Sequence, residues 1–139
     1  MAFLPINFED GKLVKLPMYN GGSSATYTVG QALYISSGYY TTATAGQNYD
    51  VEAVCMEAGT VTTSGTLLDC IPTRGVRFLA DTDGTPALSQ QGTIVDLAGA
   101  NTVDEDSAAT DYLFYIEKVV GPLADKKVQG FFQHGTVLA

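Results

Sequence analysis

The chain has no tryptophan, one histidine and two cysteines in 139 residues. Basic residues are scarce too: seven Lys and Arg stand against 15 Asp and Glu, for a net charge of -8. Each shortage excludes something. Neutralising phosphates takes clustered Lys and Arg, so nucleic acid is not an expected partner. His134 is the sole imidazole and sits in a Gln133-His134-Gly135 turn. No G-x-S-x-G accompanies it, so it is expected to face solvent and not to serve a hydrolytic triad. The sequence carries no glycine-rich phosphate loop, no C-x-x-C and no dinucleotide fingerprint, so no cofactor and no catalytic residue is expected. No apolar run approaches transmembrane length, which argues against a membrane partner. The opening Met1-Ala2-Phe3-Leu4-Pro5 lacks the basic and apolar regions of a secretory signal, so folding in a cytosol is expected.

Cys55 and Cys70 fall inside apolar runs, Val54-Cys55-Met56 and Asp69-Cys70-Ile71. Two small buried hydrophobes kept reduced is the plain reading, and a disulfide between neighbouring strands is the alternative. Two thiols and one imidazole are too few ligands for a metal centre.

What the chain does have is strand pattern. Val51, Ala53 and Cys55 alternate with Asp50 and Glu52, and Val76 and Phe78 flank Arg77; that period of two belongs to strands with one face in a core. Strands are expected over 12–18, 32–36, 39–42, 49–58, 66–71, 76–80, 93–97, 112–120 and 127–133. Ser37-Gly38 reads as a hairpin turn. Asn20-Gly21-Gly22-Ser23-Ser24, the Thr- and Ser-rich stretch 59–65 and Pro72-Thr73-Arg74-Gly75 read as turns or loops. About nine or ten short strands with frequent turns predict an all-β fold, an antiparallel β-barrel or sandwich, and closure is favoured because an open sheet would leave adhesive edges.

Three polar clusters invite a chemical reading. Asp81-x-Asp83-Gly84 begins like a calcium loop but no closing Glu follows, so a β-turn is expected. Asp104-Glu105-Asp106, with Asp111 nearby, concentrates negative charge in a polar stretch and reads as a solvated face, with Ala108 and Ala109 able to form a helical turn. Tyr34, Tyr39 and Tyr40 gather around the Ser37-Gly38 turn, which leaves sugar stacking as a minor possibility.

Residues 1–10 read as an extended arm ahead of a single β-barrel-like domain over 11–139. Phe3, Leu4, Ile6 and Phe8 are four large apolar residues within eight positions, and Pro5 keeps them out of a helix. Such a segment suits strand addition on a partner or a groove between subunits, so these four are the candidate partner-binding residues; packing back on the arm's own barrel is the alternative.

The distributed pattern resembles the capsid decoration, or cement, proteins of tailed bacteriophages. It comprises Gly11-Lys12-Leu13-Val14-Lys15-Leu16-Pro17, Val29-Gly30-Gln31-Ala32-Leu33-Tyr34 and the Gly38-Tyr39-Tyr40 hairpin, then Gly92-Thr93-Ile94-Val95-Asp96-Leu97, Asn101-Thr102-Val103-Asp104 and a closing 114–121 strand. The resemblance implies a β-barrel-like fold and a structural, non-enzymatic role on the virion. It further implies binding to the major capsid protein on the outer shell, frequent homotrimers, and assembly in the host cytoplasm. The alternatives are another phage structural module, of tail or fibre, and a carbohydrate-binding β module.

Overall fold

The computed structural model describes residues 3–6, 12–45, 49–106 and 113–134. It is all-β, as the alternation requires. The first half contributes β1 (Leu4–Pro5), β2 (Val14–Met18), β3 (Ala25–Tyr27), β4 (Ala32–Ser36), β5 (Tyr39–Thr42), β6 (Ala53–Cys55), β7 (Gly59–Val61) and β8 (Thr66–Pro72). The second contributes β9 (Phe78–Thr82), β10 (Ile94–Leu97), β11 (Thr102–Asp104), β12 (Phe114–Val119) and β13 (Lys127–Phe132). The only helical pieces among the described residues are two single 3-10 turns, Leu88–Gln90 and Leu123–Asp125.

Strands β2-β5-β4-β6-β8 close into a barrel. The order β9-β11-β10-β12-β13 returns to β9 through a β9–β13 ladder and forms a second ring of five. Most ladders are antiparallel, but β2–β5 and β9–β11 are parallel. Ser37 and Gly38 both take positive φ, 52° and 85°, the two-residue turn whose twist matches a hairpin.

Two cores follow from the two rings. Met18, Leu33, Ala53, Cys55, Leu68 and Cys70 fill the first barrel, and Tyr27 and Val61 from the small β3–β7 sheet join them. A larger cluster joins Phe78, Val95, Phe114, Ile116, Val128 and Phe132 of the second ring to Ala32, Val54 and Ile71 of the first. Neighbours in sequence therefore serve different cores: Ala32 and Leu33, Val54 and Cys55, Cys70 and Ile71. The second core holds an aromatic group in which the Phe132 ring lies 5.3 Å from Phe78 and 5.1 Å from Phe114.

The amino-terminal arm departs from expectation where it is described. Phe3 is fully buried in the second core, its ring 4.8 Å from Phe132 and 5.8 Å from Phe114. Its amide donates to the Gly30 carbonyl at 3.0 Å. Leu4 and Pro5 then pair with Leu79 and Phe78, so β1 adds a strand to this chain's own β9. The physical reason is the apolar content that suggested an anchor: a phenylalanine this close to an aromatic core buries itself there. Residues 1–2 and 7–11 lie outside the described residues, Phe8 among them. The stretch expected as a 59–65 loop also contains a strand, β7, whose pairing with β3 the local Thr, Ser and Gly content conceals.

Candidate functional site: an outward docking face

Alternation on the second ring sends every other side chain outward, and register aligns those side chains across strands. Ile94 of β10 is opposite Tyr115 of β12. Tyr115 is opposite Phe131 of β13, and their rings stack at 5.0 Å. The guanidinium of Arg77, at the entry to β9, lies 5.9 Å from the Phe131 ring centre. Ile6 follows, its amide donating to the Arg77 carbonyl at 2.9 Å. The row Ile94–Tyr115–Phe131–Arg77–Ile6 thus crosses five neighbouring segments on one outer face. Ile94, Tyr115 and Phe131 are half-buried, Arg77 is exposed, and Ile6 is 47% exposed.

A second row runs beside it. Leu4 is opposite Leu79, Leu79 is opposite Gln129, and Gln129 donates to Glu117 at 3.3 Å. Glu117 also accepts the Arg77 Nε–H on both carboxylate oxygens at 3.0 Å. The guanidinium is therefore fixed between a carboxylate and an aromatic face, which pre-orders a long side chain that would otherwise lose entropy on contact. A shallow cleft of about 230 Å³ opens at this end, lined by Gly75, Val76, Arg77, Phe131 and Phe132. Aromatic residues and arginine with an aliphatic rim are the composition of an interface core.

The four residues named as partner-binding separate in the structure. Phe3 is withdrawn into the core and is corrected from that set. Leu4 is half-buried in the second row, Ile6 stands in the first, and Phe8 lies outside the described residues. The remainder of the face, Ile94, Tyr115, Phe131 and Arg77, was not singled out from the sequence. The signal was present as Tyr115 and Glu117 alternating with core residues Phe114 and Ile116. It becomes a site only once strand register is known.

The other candidates resolve as structural parts. His134 does not face solvent as expected: it is half-buried, with Nε2 2.8 Å from Thr73 Oγ1 and 3.1 Å from the Val51 carbonyl. Thr73 donates its hydroxyl to Val51 at 2.7 Å, so the histidine Nε2–H is the donor to both oxygens. That contact ties the end of the described chain to the 51–73 region. Asp81 pairs with Lys127. Burial pushes its carboxyl up, but hydrogen bonds and positive charge, those of Lys127 foremost, outweigh that and hold it below the usual range. Glu105, expected on a solvated face, is 5% exposed and accepts the Gly84 amide at 2.8 Å, which pins the 82–84 bend. Its neighbour Asp104 is pushed up, chiefly by a hydrogen bond to Asp106. Asp111 and the expected helical turn at Ala108 and Ala109 lie outside the described residues. No group of three or more His, Cys, Asp or Glu among the described residues is placed to hold a metal ion. The tyrosines around Ser37-Gly38 do not converge: Tyr34 stacks on Tyr49, Tyr39 on Tyr19, and Tyr40 packs against the first core.

No protein family, curated protein or solved structure matches the chain.

Proposed function

We propose that this chain is a structural protein of a tailed-phage virion that docks on the outer surface of the assembled capsid and stabilises it. One observation carries the reading: the outward row of Ile6, Arg77, Phe131, Tyr115 and Ile94, a pre-ordered aromatic, arginine and aliphatic surface on a strongly acidic protein. Its partner is the major capsid protein. The sequence resemblance to decoration proteins adds the second half of the argument, and it also supports assembly of three copies around each docking point. The role calls for no catalysis and no cofactor.

Cryo-electron microscopy of virions from the encoding genome tests this. The expected result is density for the chain at fixed lattice points on the shell, in threefold clusters. Density on the tail or fibres would transfer the protein to the alternative structural class, and isolated copies away from threefold positions would remove the trimer. In a pelleting assay with stripped shells, Ile6→Asp should abolish decoration while leaving the fold intact. Phe131→Ala should weaken it by about 2 kcal/mol or more, roughly 30-fold in affinity. Unchanged binding by both variants would remove this face from the proposal.

A further inference from the structure

Cys55 and Cys70 are register partners on β6 and β8, and both are fully buried in the first core. The surrounding hydrogen bonds decide what kind of pair they make. The Cys55 amide donates to Gln31 at 2.9 Å and its carbonyl accepts from Gly30 at 2.7 Å, so its backbone faces away from β8. Flanking pairs carry the cross-ladder bonds: the Met56 amide to Asp69 at 2.9 Å, and the Thr73 amide to Glu52 at 3.1 Å. Pro72, opposite Ala53, has no amide hydrogen to lose and occupies the equivalent position one repeat away. Cys55 and Cys70 are therefore a non-hydrogen-bonded pair, where opposed Cα atoms approach to about 4.5 Å and side chains come closest. A disulfide spans Cα separations of about 4.4–6.8 Å, which puts this pair at the short end of the bridgeable range.

Each thiol donates to a backbone carbonyl, Cys55 to Glu57 at 3.2 Å and Cys70 to Leu68 at 3.6 Å. The adjacent Cys70 side chain pulls the Cys55 thiol down, and the Cys55 side chain and burial push Cys70 up.

We propose that Cys55 and Cys70 are a redox pair that closes into an intrachain β6–β8 disulfide when the folded protein meets a peroxide. The Cys55 thiolate attacks one peroxide oxygen, the O–O bond breaks, and the departing oxygen leaves as water after taking up a proton. The resulting sulfenic acid is attacked by the Cys70 sulfur, which gives up its proton; the S–S bond forms and the sulfenic oxygen leaves as a second water. Two thiols lose two electrons in total and one peroxide is reduced to two waters. A dithiol returns the bridge to two thiols by thiol–disulfide exchange. The bridge would staple the first barrel after folding in a reducing compartment, and it stands independently of the docking face.

The test exposes folded wild-type protein to hydrogen peroxide beside free cysteine as an internal standard. The sample is then denatured, alkylated and weighed by mass spectrometry. The expected product has lost two hydrogens, takes up no alkylating reagent, yields a Cys55–Cys70 linked peptide, and recovers both thiols with dithiothreitol. Cys70→Ala should instead stop at a Cys55 sulfenic acid that dimedone captures. The proposal is overturned if both wild-type thiols still alkylate once the free cysteine is consumed. It is equally overturned if the product is a sulfinic or sulfonic acid, if the bridge joins two chains, or if it forms only in denaturant.

Discussion

Replacing Phe3 by alanine asks whether the arm belongs to its own core. The ring has no solvent exposure and touches Phe132 and Phe114 at centroid distances of 4.8 and 5.8 Å. Removing a buried phenylalanine typically costs about 3–5 kcal/mol, the sum of lost transfer free energy and the cavity left behind. For a chain of this size each kcal/mol moves the melting temperature by about 3–4 °C, so Phe3→Ala should lower it by roughly 10–20 °C. Ordering residues 3–6 costs about 1–2 kcal/mol each in backbone entropy, so with the ring gone the arm is expected to detach. Limited proteolysis should then cleave within residues 3–6 in the variant and not in wild type. Ile6→Asp, on the exposed side of the same strand, should stay within about 0.5 kcal/mol of wild type. A Phe3→Ala melting temperature within about 3 °C of wild type would mean that the ring contributes under about 1 kcal/mol and that the docked arm is not part of the core.

Other perturbations have equally definite outcomes. Gly130→Ala would drive a Cβ into the Tyr115 carbonyl oxygen and the Phe114 ring, so urea denaturation should show a loss of about 3 kcal/mol or a failure to fold. Glu105→Ala leaves the Gly84 amide without its acceptor and should cost about 1–3 kcal/mol, most of it restored in Glu105→Gln, which keeps an oxygen in place. Asp81 has a lowered pKa in the folded protein. Its contribution is therefore present above the unfolded value near about 3.9 and is lost as pH falls through the folded value. Lys127→Met removes the lysine's hydrogen bond and charge, so Asp81 should titrate higher and the loss of melting temperature on acidification between about pH 2 and 6 should shrink.

The sequence carried the class and many of the strands because alternation and turn chemistry are local. Ala32–Ser36 and Tyr39–Thr42 match their expected limits, since Ser37-Gly38 fixes the hairpin between them. Three strands, Ala25–Tyr27, Gly59–Val61 and Thr102–Asp104, each have three residues. That is too few for alternation to show, and β3 and β7 pair only with each other, far apart in sequence. Phe3 illustrates the remaining gap. Its apolarity was plain, but whether an apolar arm docks at home depends on a vacancy among Phe78, Phe114 and Phe132, residues more than 70 positions away. The outward row was equally hidden, because Ile6, Arg77 and Phe131 meet only through register.

The two-ring arrangement explains a pattern that a single barrel leaves odd. In β4, β6 and β8 the apolar residues come in adjacent couples, Ala32-Leu33, Val54-Cys55 and Cys70-Ile71, where a half-solvated strand would alternate. One member of each couple fills the first barrel and the other packs into the second core. At these couples the outer surface of the first barrel becomes an interior wall of the molecule. On β9 with the preceding Arg77, on β13 and on β12 as far as its irregularity after Ile116, alternation persists: Phe78, Phe114, Ile116 and Phe132 point in, and Arg77, Tyr115, Glu117 and Phe131 point out. A face with a solvated partner side can present a pre-ordered row of aromatic residues to another molecule. That is why the second ring, with Ile6 added by the docked arm, is where a binding surface can form, and why burying Phe3 serves the face: it holds Ile6 in register beside Arg77.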